Sequence, residues 1–204
     1  PYSDDTILFD RATAQNTEIG VWHDKVATVI ETGQLAAAPA LMRYANYDGD
    51  DYFVIAQPDG NTVTIYKDPI KKPILAKQLP LTTLTLEKTS KLDFSASSRF
   101  VLAQSGSNVL VYDLDELVKA AFTLPFPVEN STISWFDAFH LQARATTGEA
   151  FIMDFDGQNM QQLTTIASST KLYFSSDYRF MYSFAPNAES DRLLLQNTPL
   201  VASD

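Results

Sequence analysis

Two imidazoles, two small clusters of carboxylates and no thiol make up the conspicuous chemistry of this 204-residue chain. With no cysteine there is no disulfide framework, no thiolate zinc site and no cysteine nucleophile. Any histidine-based triad or metal site must use His23 or His140. His140 sits in Ser134-Trp135-Phe136-Asp137-Ala138-Phe139-His140-Leu141 and reads as a partly buried structural residue; His23, between Trp22 and Asp24, reads as a surface residue. In Asp154-Phe155-Asp156-Gly157-Gln158-Asn159, alternating carboxylates followed by Gly and Asn imitate the start of a calcium loop, with Asp154, Asp156 and Asn159 as weak candidate ligands. The rest of such a loop fails, because Thr165 stands where a bidentate Glu belongs, so a hairpin turn is the first expectation. Asp48-Gly49-Asp50-Asp51 is likewise a solvated turn first and a calcium site second.

No nucleophile elbow, Ser-x-x-Lys set, His-Glu-x-x-His or Gly-rich phosphate loop is present. Paired carboxylates for glycoside chemistry stay open, since their separation in space is invisible at this level. No cofactor is expected, calcium being the one open exception. A net charge of −10, from 15 basic and 25 acidic residues, excludes nucleic acid as an expected partner, because such affinity comes mainly from Lys and Arg neutralising phosphates. The longest uncharged apolar stretch, Leu35 to Met42, contains Pro39 and is far short of a membrane span, so no membrane insertion by this segment is expected. Asn130-Ser131-Thr132 matches a glycosylation acceptor and marks a surface loop.

The elements that must position these residues come in repeats. Lys91-Leu92-Asp93-Phe94-Ser95-Ala96-Ser97-Ser98-Arg99-Phe100 and Lys171-Leu172-Tyr173-Phe174-Ser175-Ser176-Asp177-Tyr178-Arg179-Phe180 agree at six positions, two units apart. Phe53-Val54-Ile55-Ala56-Gln57 matches Phe100-Val101-Leu102-Ala103-Gln104, with one residue of slippage in the following turn. Trp22, Tyr66, Tyr112, Met153 and Leu195 mark five units of roughly 41–46 residues: 1–34, 35–85, 86–126, 127–167 and 168–204. Within each unit, short runs rich in β-branched and aromatic residues predict strands. Pro58-Asp59-Gly60-Asn61, Ser105-Gly106-Ser107-Asn108, Thr146-Thr147-Gly148 and Asp156-Gly157-Gln158-Asn159 predict tight turns. Asp115 to Ala121 reads partly helical, as one turn in a connection. Four short strands per unit are the dimensions of a β-propeller blade, and a β-sandwich is the competing all-β architecture. The expectation is a single all-β domain, a propeller of about five four-stranded blades, in a closed ring or as part of a larger one.

Phe174-Ser175-Ser176-Asp177-Tyr178-Arg179-Phe180 and Phe151-Ile152-Met153-Asp154 through Leu163-Thr164 resemble the repeats of TolB-like and WD-repeat propellers over about residues 38–198. The likeness departs from those patterns where no Pro precedes Asp177 and where Tyr178 and Ser98 replace a Gly, and it extends in flavour to propellers of bacterial PEGA-type surface proteins. It implies, with the missing cysteines, an extracytoplasmic or cell-surface bacterial setting. The first unit lacks its innermost strand, and the chain starts at Pro1 rather than a methionine, which favours a cut piece of a larger ring over a closed five-bladed one.

The resulting functional expectation is a non-catalytic interaction module that binds a protein, another ligand or adjoining blades of a parent chain. Its candidate rim contacts are Tyr47, Asp48, Asp50, Asp51, Trp135, Asp137 and His140, with the loop Asp113 to Glu116. The alternative is a propeller hydrolase or lyase acting on polysaccharide through clustered carboxylates, with or without calcium.

Overall fold

Strands of two to eight residues account for all the regular structure described, because the short β-branched and aromatic runs are too brief for helices and are bounded by turn residues. A computed structural model describes residues 6–33, 38–57, 60–70, 79–130, 132–165, 172–177, 179–186 and 193–199. They form five antiparallel sheets, each a meander in which sequence neighbours pair. The first holds β1 (Thr6–Ala12), β2 (Thr17–His23) and β3 (Val26–Gly33), and the second β4 (Leu41–Tyr47), β5 (Asp50–Ala56), β6 (Thr62–Lys67) and β7 (Thr82–Thr85). The third holds β8 (Lys91–Phe94), β9 (Phe100–Ser105), β10 (Asn108–Asp113) and β11 (Val118–Thr123). The fourth holds β12 (Ser134–Trp135), β13 (His140–Arg144), β14 (Glu149–Asp154) and β15 (Gln161–Thr165), and the fifth β16 (Tyr173–Phe174), β17 (Phe180–Pro186) and β18 (Leu193–Pro199).

The markers Tyr66, Tyr112, Met153 and Leu195 fall on the third strand of their sheets, β6, β10, β14 and β18, and Trp22, matched to them, falls on β2, the middle of the three described strands of the first sheet. By that count, the first sheet has the second to fourth strands of a blade and the fifth sheet the first to third. The helical expectation at 115–121 is corrected: residues 114–117 turn, with Leu117 at φ 56°, and Val118 to Thr123 pair along β10. Lys119, Ala120 and Ala121 suit a helix by local preference, but the open edge of β10 recruits them. The turns at 106–107, 146–148 and 155–158 are observed; Pro58 and Asp59 of the remaining one lie outside the described residues, as does Ser131 of the acceptor triplet.

Sheets pack face to face through four apolar clusters. One joins the first and second sheets around Val21, Phe53 and Tyr66, and one joins the second and third around Val54, Ile65, Val101 and Leu110. The next joins the third and fourth around Phe100, Leu102, Leu141 and Met153, and the last joins the fourth and fifth around Ala150, Leu172 and Met181. Alternation along a strand sends neighbouring residues to opposite clusters, and this corrects one repeat alignment. Phe53 pairs with Tyr66 and faces the preceding sheet, whereas Phe100 pairs with Asp113 and faces the following one; the residue equivalent to Phe53 is Val101, opposite Tyr112. The slippage noted in the turn therefore belongs to the strand before it. The Lys91/Lys171 match keeps its register, since Phe94 opposes Val101 as Phe174 opposes Met181.

On the innermost strands this register lines up an aromatic in four successive sheets: Tyr44, Phe94, Trp135 and Phe174, each packed on the cluster shared with the preceding sheet. The fifth sheet presents Tyr173, Phe180, Leu193, Leu194 and Leu195 as exposed side chains. Among the described residues no helix is long and apolar enough to cross a membrane.

Candidate functional site

Strand direction decides which loops share a face. The turns between first and second strands, and between third and fourth strands, all lie at one end of the sheets. There β4 meets β5 at 48–49, β8 meets β9 at 95–99, β10 meets β11 at 114–117, β12 meets β13 at 136–139 and β14 meets β15 at 155–160. Every candidate contact residue and every candidate calcium ligand therefore belongs to this one face, which we call the loop face.

Asp113 ends β10 almost fully buried and accepts four hydrogen bonds: from Arg99 Nε at 2.9 Å and Nη2 at 2.7 Å, and from the backbone amides of Asp115 at 2.9 Å and Glu116 at 3.3 Å. Burial alone would raise its carboxyl, but the Arg99 guanidinium and the two amides outweigh it and hold Asp113 below the usual carboxylate range. Arg99 also reaches Asp115 at 3.1 Å. Tyr47, from the neighbouring sheet, feels this group: burial first, then the charge of Asp115, raises its hydroxyl, opposed by Arg99. Asp50 pairs with Lys67 at 2.5 Å, while Asp48 is exposed in the turn at φ 50°.

In the fourth sheet, Asp137 accepts from the amides of Phe139 and His140, both at 2.7 Å, and from His140 Nδ1 at 2.7 Å. Burial opposes these bonds but they win, so Asp137 too is held below the usual range. His140 Nε2 lies 3.5 Å from Asp154, fixing the imidazole between two carboxylates. Asp154 accepts from the amide nitrogen of Asn159 at 2.7 Å, and Asp156 accepts from the backbone of Gln158 at 3.0 Å. The candidate calcium ligands thus close a hairpin turn on one another, with Gly157 and Asn159 at positive φ. Among the described residues no group of three or more His, Asp or Glu is arranged to hold a metal ion. Trp135 points inward rather than to the rim, its ring 5.9 Å from Phe100, which also stacks on Phe155 at 4.5 Å and meets Phe139 edge-on at 5.8 Å.

The loop face also holds a feature the sequence did not reveal. A cavity of about 760 Å³ opens between β4 and β8, lined by His23, Arg43, Tyr44, Asn46, Asp51 and Asp93 among others. Of the candidate contact residues and calcium ligands, only Asp51 borders it. His23, expected at the surface, forms part of its wall, with Nδ1 2.9 Å from Thr6 Oγ1. Asp51 accepts from Asn46 at 3.0 Å and from the Tyr44 hydroxyl; burial first, then this bond, pushes the Tyr44 hydroxyl up. Asp93 accepts from the amide of Phe94 at 3.0 Å and stands 3.8 Å from Lys91. Among the described residues Arg43 makes a single hydrogen bond, to the carbonyl of Met42 at 2.8 Å.

No protein-family model and no curated protein matches the chain. Solved structures do. The WD40 domain of Toxoplasma gondii coronin superposes with a TM-score of 0.63 at 12% identity over 97% of this chain and 56% of that one. The C-terminal WD40 domain of Sif2 gives 0.58 at 10% identity over 91% and 53%. The dihydro-heme d1 dehydrogenase NirN gives 0.55 at 15% identity over 97% and 46%. The chain spans about half the length of these proteins. At such identities the likeness speaks for architecture, and the five sheets have the fold of a WD-repeat-like β-propeller.

Proposed function

We propose that this chain is a non-catalytic interaction module that binds a protein partner through its loop face. The observation that carries the reading is convergence. Side chains from the first three sheets line a cavity at that face, and charged groups of the same face are tied to neighbours on the sheet ends. Fold likeness alone does not choose, since its neighbours include both WD40 domains and a protein named as a dehydrogenase. Carboxyl chemistry weighs against the hydrolase or lyase reading. General acid catalysis on a glycoside needs a carboxyl kept protonated, and among the described residues the perturbed carboxylates of this face, Asp113, Asp137 and Asp177, are perturbed the other way. An extracytoplasmic, bacterial cell-surface setting belongs to the proposal on the repeat resemblance and the absence of cysteine.

The test places a photo-activated cross-linking residue at exposed loop-face positions Asp48 and Glu116, and at exposed Thr147 on the opposite end, in the native cells. Discrete protein adducts from the first two and none from Thr147 are expected. Equal labelling from both ends would refute the loop face as the interaction surface. Turnover of polysaccharide by the purified chain, with calcium or chelator, that disappears in variants of the clustered acids would refute the non-catalytic reading.

A further inference from the structure

Four of the five described arginines sit in ion pairs: Arg11 with Glu18, Arg99 with Asp113, Arg144 with Glu129 and Arg179 with Asp177. The fifth, Arg43, has none, although the chain carries ten more acids than bases and two carboxylates line the same cavity. Those two already hold bonds within the chain, Asp51 with Asn46 and Tyr44, and Asp93 with the Phe94 amide, and neither forms an ion pair with Arg43. A guanidinium has five N–H donors in a planar fork that matches a carboxylate, and Arg43 spends only one of them, on Met42. The strand does not require arginine here, since the register-equivalent positions of the next three sheets hold Asp93, Ser134 and Tyr173. An unspent fork in a half-open cavity with both apolar wall and oxygen acceptors is a built recognition group.

We infer that the cavity between β4 and β8 binds a carboxylate-bearing segment of the partner, an acidic peptide side chain whose two oxygens take the Arg43 fork. Asp51, Asp93 and Ser95 border the same space as acceptors. They favour a ligand that brings N–H donors alongside its carboxylate, as a peptide does, and they disfavour a multiply charged inorganic anion. The side chains of Tyr44 and Phe94 supply apolar wall. The inference rests on the protein-binding reading above and names what that partner must present.

The experiment titrates the purified chain with N-acetyl-glutamate N-methylamide, following the arginine Nε–Hε resonances by NMR at low ionic strength. The uncharged glutamine analogue and inorganic phosphate are run as separate arms. A saturable shift at Arg43 is expected, with glutamine at least ~10-fold weaker, because a hydrogen bond between two charged groups is worth roughly that factor more than a neutral one. Read in the variants by the backbone amide shifts of the cavity residues Ala45 and Asn46, binding should be abolished in Arg43→Gln and weakened in Arg43→Lys, which keeps the charge without the fork. Equal shifts at exposed Arg11 and Arg179, or tighter binding of phosphate, would overturn the peptide carboxylate. The wild-type titration is decisive whether or not a variant folds. If Arg43 is silent while cross-linking from Asp48 and Glu116 persists, the cavity assignment fails and the interaction face stands; loss of both removes the parent reading as well.

Discussion

Phe100 and Phe180 occupy the same position of the same repeat, yet their surroundings differ, and substituting each tests what holds the sheets together. Phe100 is 1% exposed and its ring touches three others, from Trp135, Phe139 and Phe155 in the fourth sheet. Phe180 is 38% exposed and has no ring contact among the described residues. Phe100→Ala removes a fully buried aromatic and leaves a cavity inside a close-packed cluster, a loss of about 3–5 kcal/mol. Phe180→Ala forfeits only part of the transfer energy and leaves no cavity, so about 1 kcal/mol is expected. Urea unfolding of the two variants beside the parent chain reads the difference, and the slope must stay constant for the midpoints to report stability. Should Phe100→Ala fail to fold, Phe100→Leu, at about 1.5 kcal/mol, keeps the comparison. Equal losses at both sites would refute the reasoning, for they would mean that the repeat position itself, and not the sheet that covers it, sets the energy.

Three further outcomes follow from the hydrogen bonding and the backbone. Asp113 is held below its ordinary value in the folded chain, so its ionised form stabilises the fold above the unfolded value of about 4, and the benefit is lost as pH falls from there. Asp113→Asn should therefore be less stable than the parent at pH 7, with the gap narrowing below about pH 4 in thermal melts; a gap independent of pH would exclude this account. Gln104 is 0% exposed and its amide donates to the carbonyls of Gly106 and Glu129, both at 3.0 Å, while its oxygen accepts from the Ile133 amide at 3.1 Å. Gln104→Ala strands those groups and should cost about 2–4 kcal/mol by urea titration, loosening the 124–133 connection first in hydrogen exchange. At Gly20 an added Cβ would run into the carbonyl oxygen of Thr28 and stand 2.7 Å from Phe9 Cζ, at a bulge where β2 slips against β3. Gly20→Ala should cost about 1–3 kcal/mol, and a neutral result in calorimetry would show that the bulge can move.

The architecture was readable because a repeat writes its strand positions several times over. The Lys91/Lys171 match keeps true register, and four of the five markers, Tyr66, Tyr112, Met153 and Leu195, landed on the third strand of their sheet. The other match misled by one residue: alternation makes Phe53 and Phe100 look alike in sequence while sending them to opposite faces. That slip hid the row Tyr44, Phe94, Trp135, Phe174, and left Trp135 looking like a loop contact instead of the inner-strand aromatic it is. The site was less readable. Loop membership of Asp48, Asp113 and Asp137 followed from turn chemistry, but a shared face needs strand direction. That Arg43 has no ion pair among the described residues is something only geometry displays.

Because each strand pairs with its sequence neighbour throughout the five meanders, the strands of a sheet join through connections local in sequence, the longest being residues 68–81 between β6 and β7. An all-β chain of this size would ordinarily fold slowly, since strand pairing is usually remote along the chain; here the pairing is local, which favours rapid collapse sheet by sheet. Each finished sheet then offers a template to the next, so the order in which the chain acquires structure is set by neighbour-to-neighbour contacts, as in a linear array. The third sheet, buried on both faces by clusters with the second and fourth, is where such growth has the most to gain and from which unfolding would retreat last.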